Sequence, residues 1–171
     1  MKQFKDDVPE LDIPTDFPRP DFRTYKSHRD DFELKPDLIN AVKKMGAKAG
    51  CSFVSSMLVA FEVFLHRISG QNDIILGVPS AGQSAEGYNS LVGHCVNMLP
   101  LKSQHNGDFT FLEFLKLRKS AIFDAYENQH YTFGSLLKKL NISRDASRVP
   151  LIPIVFNIDI GLNEGVKFEG V

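Results

Sequence analysis

Asp73–Leu101, DIILGVPSAGQSAEGYNSLVGHCVNMLPL, limits what this chain can fold into more than any other stretch. Ile74–Leu76 with Val78 is an almost unbroken apolar run, which predicts a strand covered on both faces. A Gly/Ser-rich loop follows, then a second predicted strand over Cys95–Leu101. In that strand Cys95, Asn97, Leu99 and Leu101 share one face while Val96 and Met98 take the other. One polar amide, Asn97, therefore stands on an otherwise apolar face.

Helices flank this pair. Lys35-Pro36-Asp37 is a helix start, with proline suited to the first turn and an acid to the N-terminal dipole. Leu38, Ala41, Val42 and Met45 predict the inward stripe of a surface helix over Pro36–Lys48, ended by Gly50. Ser52 caps a second helix, Phe53–Ile68. Its apolar residues cover most of the circumference, which predicts burial nearly all round, with His66 at the surface near its C-terminus. Thr110-x-x-Glu113 is a capping-box pattern opening a helix over Phe111–Asn128, with Leu117 among its inward residues. Thr132 starts a short helix, Phe133–Leu140, and Asn141 suits a left-handed stop. Phe22–Leu34 is expected to end in a strand at Phe32–Leu34, and Leu151–Ile160 to form another, at an edge or beginning at Pro153. Gly161–Val171 trails off with three glycines. Strands separated by such helices indicate an α/β domain: a two-layer sandwich with a mixed β-sheet covered by helices.

Composition narrows the function. The 171 residues suffice for one domain with a real core, and a net charge of -1 offers no basic stripe for nucleic acid or an anionic membrane. No apolar stretch is long enough to span a bilayer and no signal peptide is visible, so a cytoplasmic location is expected. Cys51 and Cys95 are too few for a metal motif and read as buried reduced thiols. No G-x-S-x-G elbow follows a strand, and Gly77, Gly82 and Gly87 lack the spacing of a nucleotide loop.

Several stretches, in order, resemble one family, the condensation domains of nonribosomal peptide synthetases. Leu11–Pro20, LDIPTDFPRP, is similar to the family's LPTDRPRP linker, and Phe61–Gly82 to its helix–SGQ–strand segment. Val92, Gly93, Val96, Asn97, Leu99 and Pro100 match IGxFVNTLPL. Gln129, Phe133, Leu136 and Leu140 match HQxxPFExLVxxL, with Asn128, Thr132 and Gly134 departing from its His, Pro and Glu. Arg144–Leu151 matches RDxSRxPL. The resemblance implies a chloramphenicol-acetyltransferase-like lobe. It further implies a transferase tunnel in which a carrier-tethered amine attacks a carrier-tethered thioester, each delivered on a phosphopantetheine arm, with no other cofactor.

The family's catalytic HHxxxDG is missing. His28, His66, His94, His105 and His130 are all isolated. The chain is therefore expected to be the C-terminal lobe, residues 21–171, preceded by an inter-lobe strap, residues 1–20, and truncated at its far end. Met1 is expected to mark a start inside the domain. Alone it should be inactive, needing an N-terminal lobe carrying HHxxxDG and its carrier proteins as partners, and it should tend to self-associate. Two alternatives stay open: an epimerisation-, heterocyclisation- or other acyltransferase-type lobe of the same superfamily, or a non-catalytic carrier-docking module.

The implied tunnel wall comprises Asn97, Gly93, Gly77, Pro79 and Ser80. Asn97 either donates to a developing oxyanion or satisfies strand-end backbone groups. Arg144, Asp145, Ser147 and Arg148 read as a structural corner, with a carrier-phosphate site as the alternative. His94 reads as a core or rim histidine and His130 as an exposed residue before a helix.

Overall fold

The computed structural model describes residues 2–4, 8–82, 90, 92–105, 107–142 and 145–159. The loop residues 83–89, Arg144 and the tail 160–171 fall outside these, and with them the readings placed there. The central pair forms: β1 (Asp73–Ala81) runs antiparallel to β2 (Val96–Gln104), with Gly77 opposite Pro100 and Ser80 opposite Asn97. β2 continues three residues past its predicted end. On the other edge of β1 lies one parallel bridge to Val155. There the Gly77 N–H donates to the Ile154 carbonyl at 2.9 Å, and the Phe156 N–H donates to the Gly77 carbonyl at 2.8 Å. Among the described residues the sheet is thus the antiparallel β1–β2 pair, and the expected mixed sheet is reduced to this one parallel bridge on the far edge of β1. A strand so placed loses water on both faces, and Ile74, Ile75 and Leu76 are buried.

The expected final strand shrinks to that bridge. Leu151 is left-handed at φ 66°, and Pro153 has no N–H to offer a ladder, so regular pairing cannot begin before Ile154. Phe22–Leu34 forms no strand either. Phe22, Tyr25 and Phe32 are exposed with no partner strand alongside.

Among the described residues four α-helices complete the fold: α1 (Pro36–Ala49), α2 (Phe53–Ser69), α3 (Phe111–Glu127) and α4 (Phe133–Leu140). Their ends follow local chemistry. Ser52 Oγ accepts from the Ser55 N–H, Thr110 and Glu113 form the full capping box, and Thr132 Oγ1 accepts from the Ser135 N–H. Gly50, Gly70 and Asn141 close α1, α2 and α4 in the left-handed region. At the 98° bend between α1 and α2 the helices nearly touch, because a Cβ on Gly46 would lie 2.3 Å from Ser56 Oγ. Among the described residues no single helix is long and apolar enough to cross a membrane.

Helices α2 and α3 cover one face of the sheet, packing Leu58, Leu65, Phe114 and Leu115 on Ile74, Leu76 and Leu101. On the other face Ile75 and Met98 meet Phe4, Leu136, Leu151 and Ile152. The N-terminal segment thus contributes to both cores, Phe4 to one and Leu11 to the other. Gln71 holds it in place: its side chain accepts from the Asp12 N–H at 2.7 Å and donates to the Glu10 carbonyl at 2.8 Å.

Three helix faces differ from expectation. In α1 the less exposed positions are Ile39, Val42, Met45, Gly46 and Ala49, while Leu38 and Ala41 face water. The near-contact at Gly46 sets this rotation. In α2 burial is one-sided, with Val59, Glu62 and Leu65 inside and Phe64 exposed. In α3 Leu117 is exposed and Arg118 buried, because Arg118 has a carboxylate to meet inside.

Candidate functional site

At the end of the strand pair where β1 stops and β2 starts lies a cleft of about 540 Å³. Ser80 and Gly82 bring β1's end to it, His94–Met98 bring β2's start, and Gln129 and Phe133 bring the α3–α4 connection. Gly82 lets the chains close there. Its N–H donates to the Cys95 carbonyl at 3.0 Å, and a Cβ would sit 2.3 Å from that oxygen.

Asn97 is the clamp of this cleft. Its amide nitrogen donates to the Gln129 carbonyl at 2.7 Å and to the Tyr131 carbonyl at 3.1 Å, and its oxygen accepts from the Phe133 N–H at 3.1 Å. Both amide hydrogens are thereby committed. Asn97 has no donor left for a developing oxyanion; what it does is hold residues 129–133 against the end of β2. Ser80, buried, donates from Oγ to Gln129 Oε1.

The other wall candidates stand elsewhere. Gly77 lies between Ile152 and Met98, where a Cβ would meet Ile152 Cγ2 at 2.5 Å. Pro79 lines a separate hollow of about 70 Å³ with Tyr126 and Phe156. Gly93 is exposed, with open space where a Cβ would point. His94 is an exposed rim residue and His130 an exposed residue of the connection. Cys51 and Cys95 are half-buried free thiols, not fully buried ones.

At the Asp145–Arg148 corner, Asp145 Oδ1 accepts from the Ser147 N–H at 2.8 Å, which holds its carboxyl below the usual range. Arg148 pairs with Glu10 at 2.6 Å and with Asp145 at 3.5 Å. Two carboxylates of the same chain thus face the guanidinium, joining the corner to the N-terminal segment.

Two buried polar groupings were not visible in the sequence. Glu62 and Arg118 form a bidentate pair, Nε to Oε2 at 2.8 Å and Nη2 to Oε1 at 2.7 Å, while Arg118 Nη1 donates to the Lys102 carbonyl at 3.0 Å. Burial pushes the Glu62 carboxyl above its ordinary range, with the guanidinium pulling it back. A single acid inside the apolar run FEVFL was the available signal. Beside them His105 stacks on His66, with ring centroids 4.6 Å apart, and leans on Phe114. Burial, then the neighbouring His66 and Arg118, lower the His105 pKa to about 4. His66 is consequently half-buried rather than a surface residue, and its Nδ1 meets the Gln71 carbonyl at 2.8 Å. Among the described residues no three His, Cys, Asp or Glu side chains are grouped to hold a metal.

The family model for the condensation domain matches residues 1–166. The chain belongs to the condensation-domain family. Curated relatives agree: bacitracin synthase 2 of Bacillus licheniformis is 37% identical over 158 residues, 92% of this chain and 6% of that protein. Gramicidin S synthase 2 of Brevibacillus brevis is 37% identical over 91% of this chain and 4% of its own length. The chain thus spans only a small part of the nonribosomal peptide synthetases it matches. Among solved structures, a four-domain nonribosomal peptide synthetase bound to AMP and glycine superposes with a TM-score of 0.83 at 22% identity, over 86% of this chain and 11% of that one. The condensation domain of the Monacolin K polyketide synthase gives 0.73 at 20% identity, over 89% and 37%. The shared fold is the α/β, chloramphenicol-acetyltransferase-like fold of condensation domains.

Proposed function

We propose that the chain is the C-terminal lobe of a nonribosomal peptide synthetase condensation domain, with residues 1–20 as the strap from the first lobe. In this reading the cleft where β1 ends and β2 begins is one wall of the reaction tunnel. A carrier-bound amine attacks the carbonyl carbon of a carrier-bound acyl thioester. The C–N bond forms, the C–S bond breaks, and the amine proton leaves with the released phosphopantetheine thiol.

The observation carrying this reading is a condensation-family match over residues 1–166 in a chain whose five histidines are all isolated. The base that HHxxxDG supplies in the family then comes from another lobe. The chain's 37% share of the solved Monacolin K condensation domain supports the one-lobe assignment. Within the lobe Asn97 and Ser80 shape the wall, Gly77 and Pro79 form the strand behind it, and Gly93 lies near its mouth.

The test is a pair of reactions with carrier-loaded donor and acceptor. One contains this chain alone, the other adds a separately produced N-terminal lobe bearing HHxxxDG. Amide product is expected only in the second. Product from the chain alone would overturn the shared-site reading, and carrier binding without product in either reaction would make the chain a docking module.

A further inference from the structure

Asn97, the wall residue singled out for an oxyanion, turns its amide away from the cleft. Asn97 is committed three times over to the backbone of residues 129–133. The side chain it thereby fixes in the cleft is Gln129, whose own carbonyl accepts the shorter of the two Asn97 donations. Gln129 is half-buried, and its Oε1 is taken by the buried Ser80 hydroxyl. Its Nε2 has no hydrogen-bond partner among the described residues. A carboxamide held at its oxygen turns its two N–H donors the other way, toward the cleft. Around it stand the apolar Val96, Met98 and Phe133. A few fixed donors on apolar walls suit an extended, mostly apolar chain carrying carbonyl oxygens.

We infer that Gln129 is the substrate-contacting donor of this cleft, giving an N–H to an amide carbonyl of the pantetheine arm, and that Ser80 and Asn97 are its positioning residues. This rests on the reading of the cleft as tunnel wall. Ser80 holds the oxygen end of the Gln129 amide, and Asn97 sets where the backbone beneath it sits. A single committed neutral hydrogen bond of this kind changes affinity by about three- to tenfold.

The experiment is titration of the ¹⁵N-labelled chain with free pantetheine, followed by amide and side-chain NMR signals. Pantetheine is expected to shift the Gln129 side-chain NH₂ pair and backbone signals of residues 94–98 and 129–134. Gln129→Glu keeps an acceptor for Ser80 but cannot donate as a carboxylate, so Q129E and Q129A should both weaken binding about three- to tenfold. The Asn97 side-chain signals report whether the connection keeps its place. Should either Gln129 variant disturb them, Ser80→Ala, which leaves all three Asn97 bonds intact, should weaken binding as well. Binding in the cleft that Q129E, or S80A where it is needed, leaves unchanged overturns the donor role while leaving the tunnel-wall reading standing. No response of the cleft to pantetheine overturns both.

Discussion

Removing the charge of Glu62 should destabilise the chain more than any exposed substitution. Glu62 is fully buried, and Arg118 is 5% exposed, tying α2 to α3 and, through the Lys102 carbonyl, to β2. Both ions have been taken out of water, so each is tolerable only because of the other. Breaking such a pair from one side costs about 3–5 kcal/mol. Glu62→Gln keeps the volume and one acceptor and should sit near the lower figure; Glu62→Leu leaves the guanidinium facing hydrocarbon and should sit near the upper. For a domain of this length each kcal/mol moves the melting midpoint by about 2–4 °C, so E62Q should lower it by about 6–12 °C. The decisive variant is the double, Glu62→Leu with Arg118→Met. It removes both charges together and takes from the Lys102 carbonyl only the Arg118 donor, a loss of about 1–3 kcal/mol. It should therefore be more stable than E62L alone. Urea unfolding followed by circular dichroism on wild type, both singles and the double closes the cycle. An E62Q variant within 1 kcal/mol of wild type, or a double variant less stable than E62L, would refute the argument that an uncompensated buried charge sets the cost (about 3 kcal/mol at least).

Other expectations follow from the same geometry. The His105 pKa is lowered from 6.5 to about 4, so the unfolded chain takes up that proton first. Its contribution is full above pH 6.5 and is lost as pH falls toward about 4; the stability difference between wild type and H105F, measured by urea midpoints, should shrink through that window. Gly46→Ala should cost about 1–3 kcal/mol by driving a methyl into Ser56 Oγ, and Ser56→Ala in the same chain should recover most of it in a thermal melt; a G46A variant as stable as wild type would contradict the close approach. Asn97→Asp keeps the acceptor for Phe133 but turns a carboxylate toward two carbonyls, so limited proteolysis should cut between residues 128 and 133 in N97D before it cuts wild type there. Phe64 at 53% exposed, Leu117 at 56% and Phe123 at 62% leave apolar surface uncovered, so the chain alone should sediment with a concentration-dependent mass that an added N-terminal lobe suppresses; a monomer at all concentrations would count against it.

What could be read from the sequence was what nearest neighbours decide. The caps at Ser52, Thr110 and Thr132 each satisfy backbone groups within one turn of themselves, and Gly50 and Asn141 end their helices in the left-handed region. All formed where the residues placed them. The strand pair was legible for a similar reason, since unbroken burial in β1 and alternation in β2 are local patterns. Which edge of an apolar stripe turns inward is a tertiary decision. In α3, Leu117 and Arg118 differ by one position, and the choice between them rests on Glu62, 56 residues away. Phe32 looked strand-like by composition, but a strand needs a partner edge, and the edges of this sheet are taken by the Val155 bridge on one side and Gln3 and Arg118 on the other.

Asn97 shows the same divide at the site itself. Alternation was enough to place one amide on an apolar face, and two chemistries remained open for it. What separates them is the carbonyls at 129 and 131 and the N–H at 133, which reach Asn97 only because α3 ends at Glu127 and the chain turns back across the end of β2. Once those three bonds exist, neither amide hydrogen of Asn97 is left to donate. A motif asparagine can in this way shape a cleft through the backbone it holds rather than through a donor of its own.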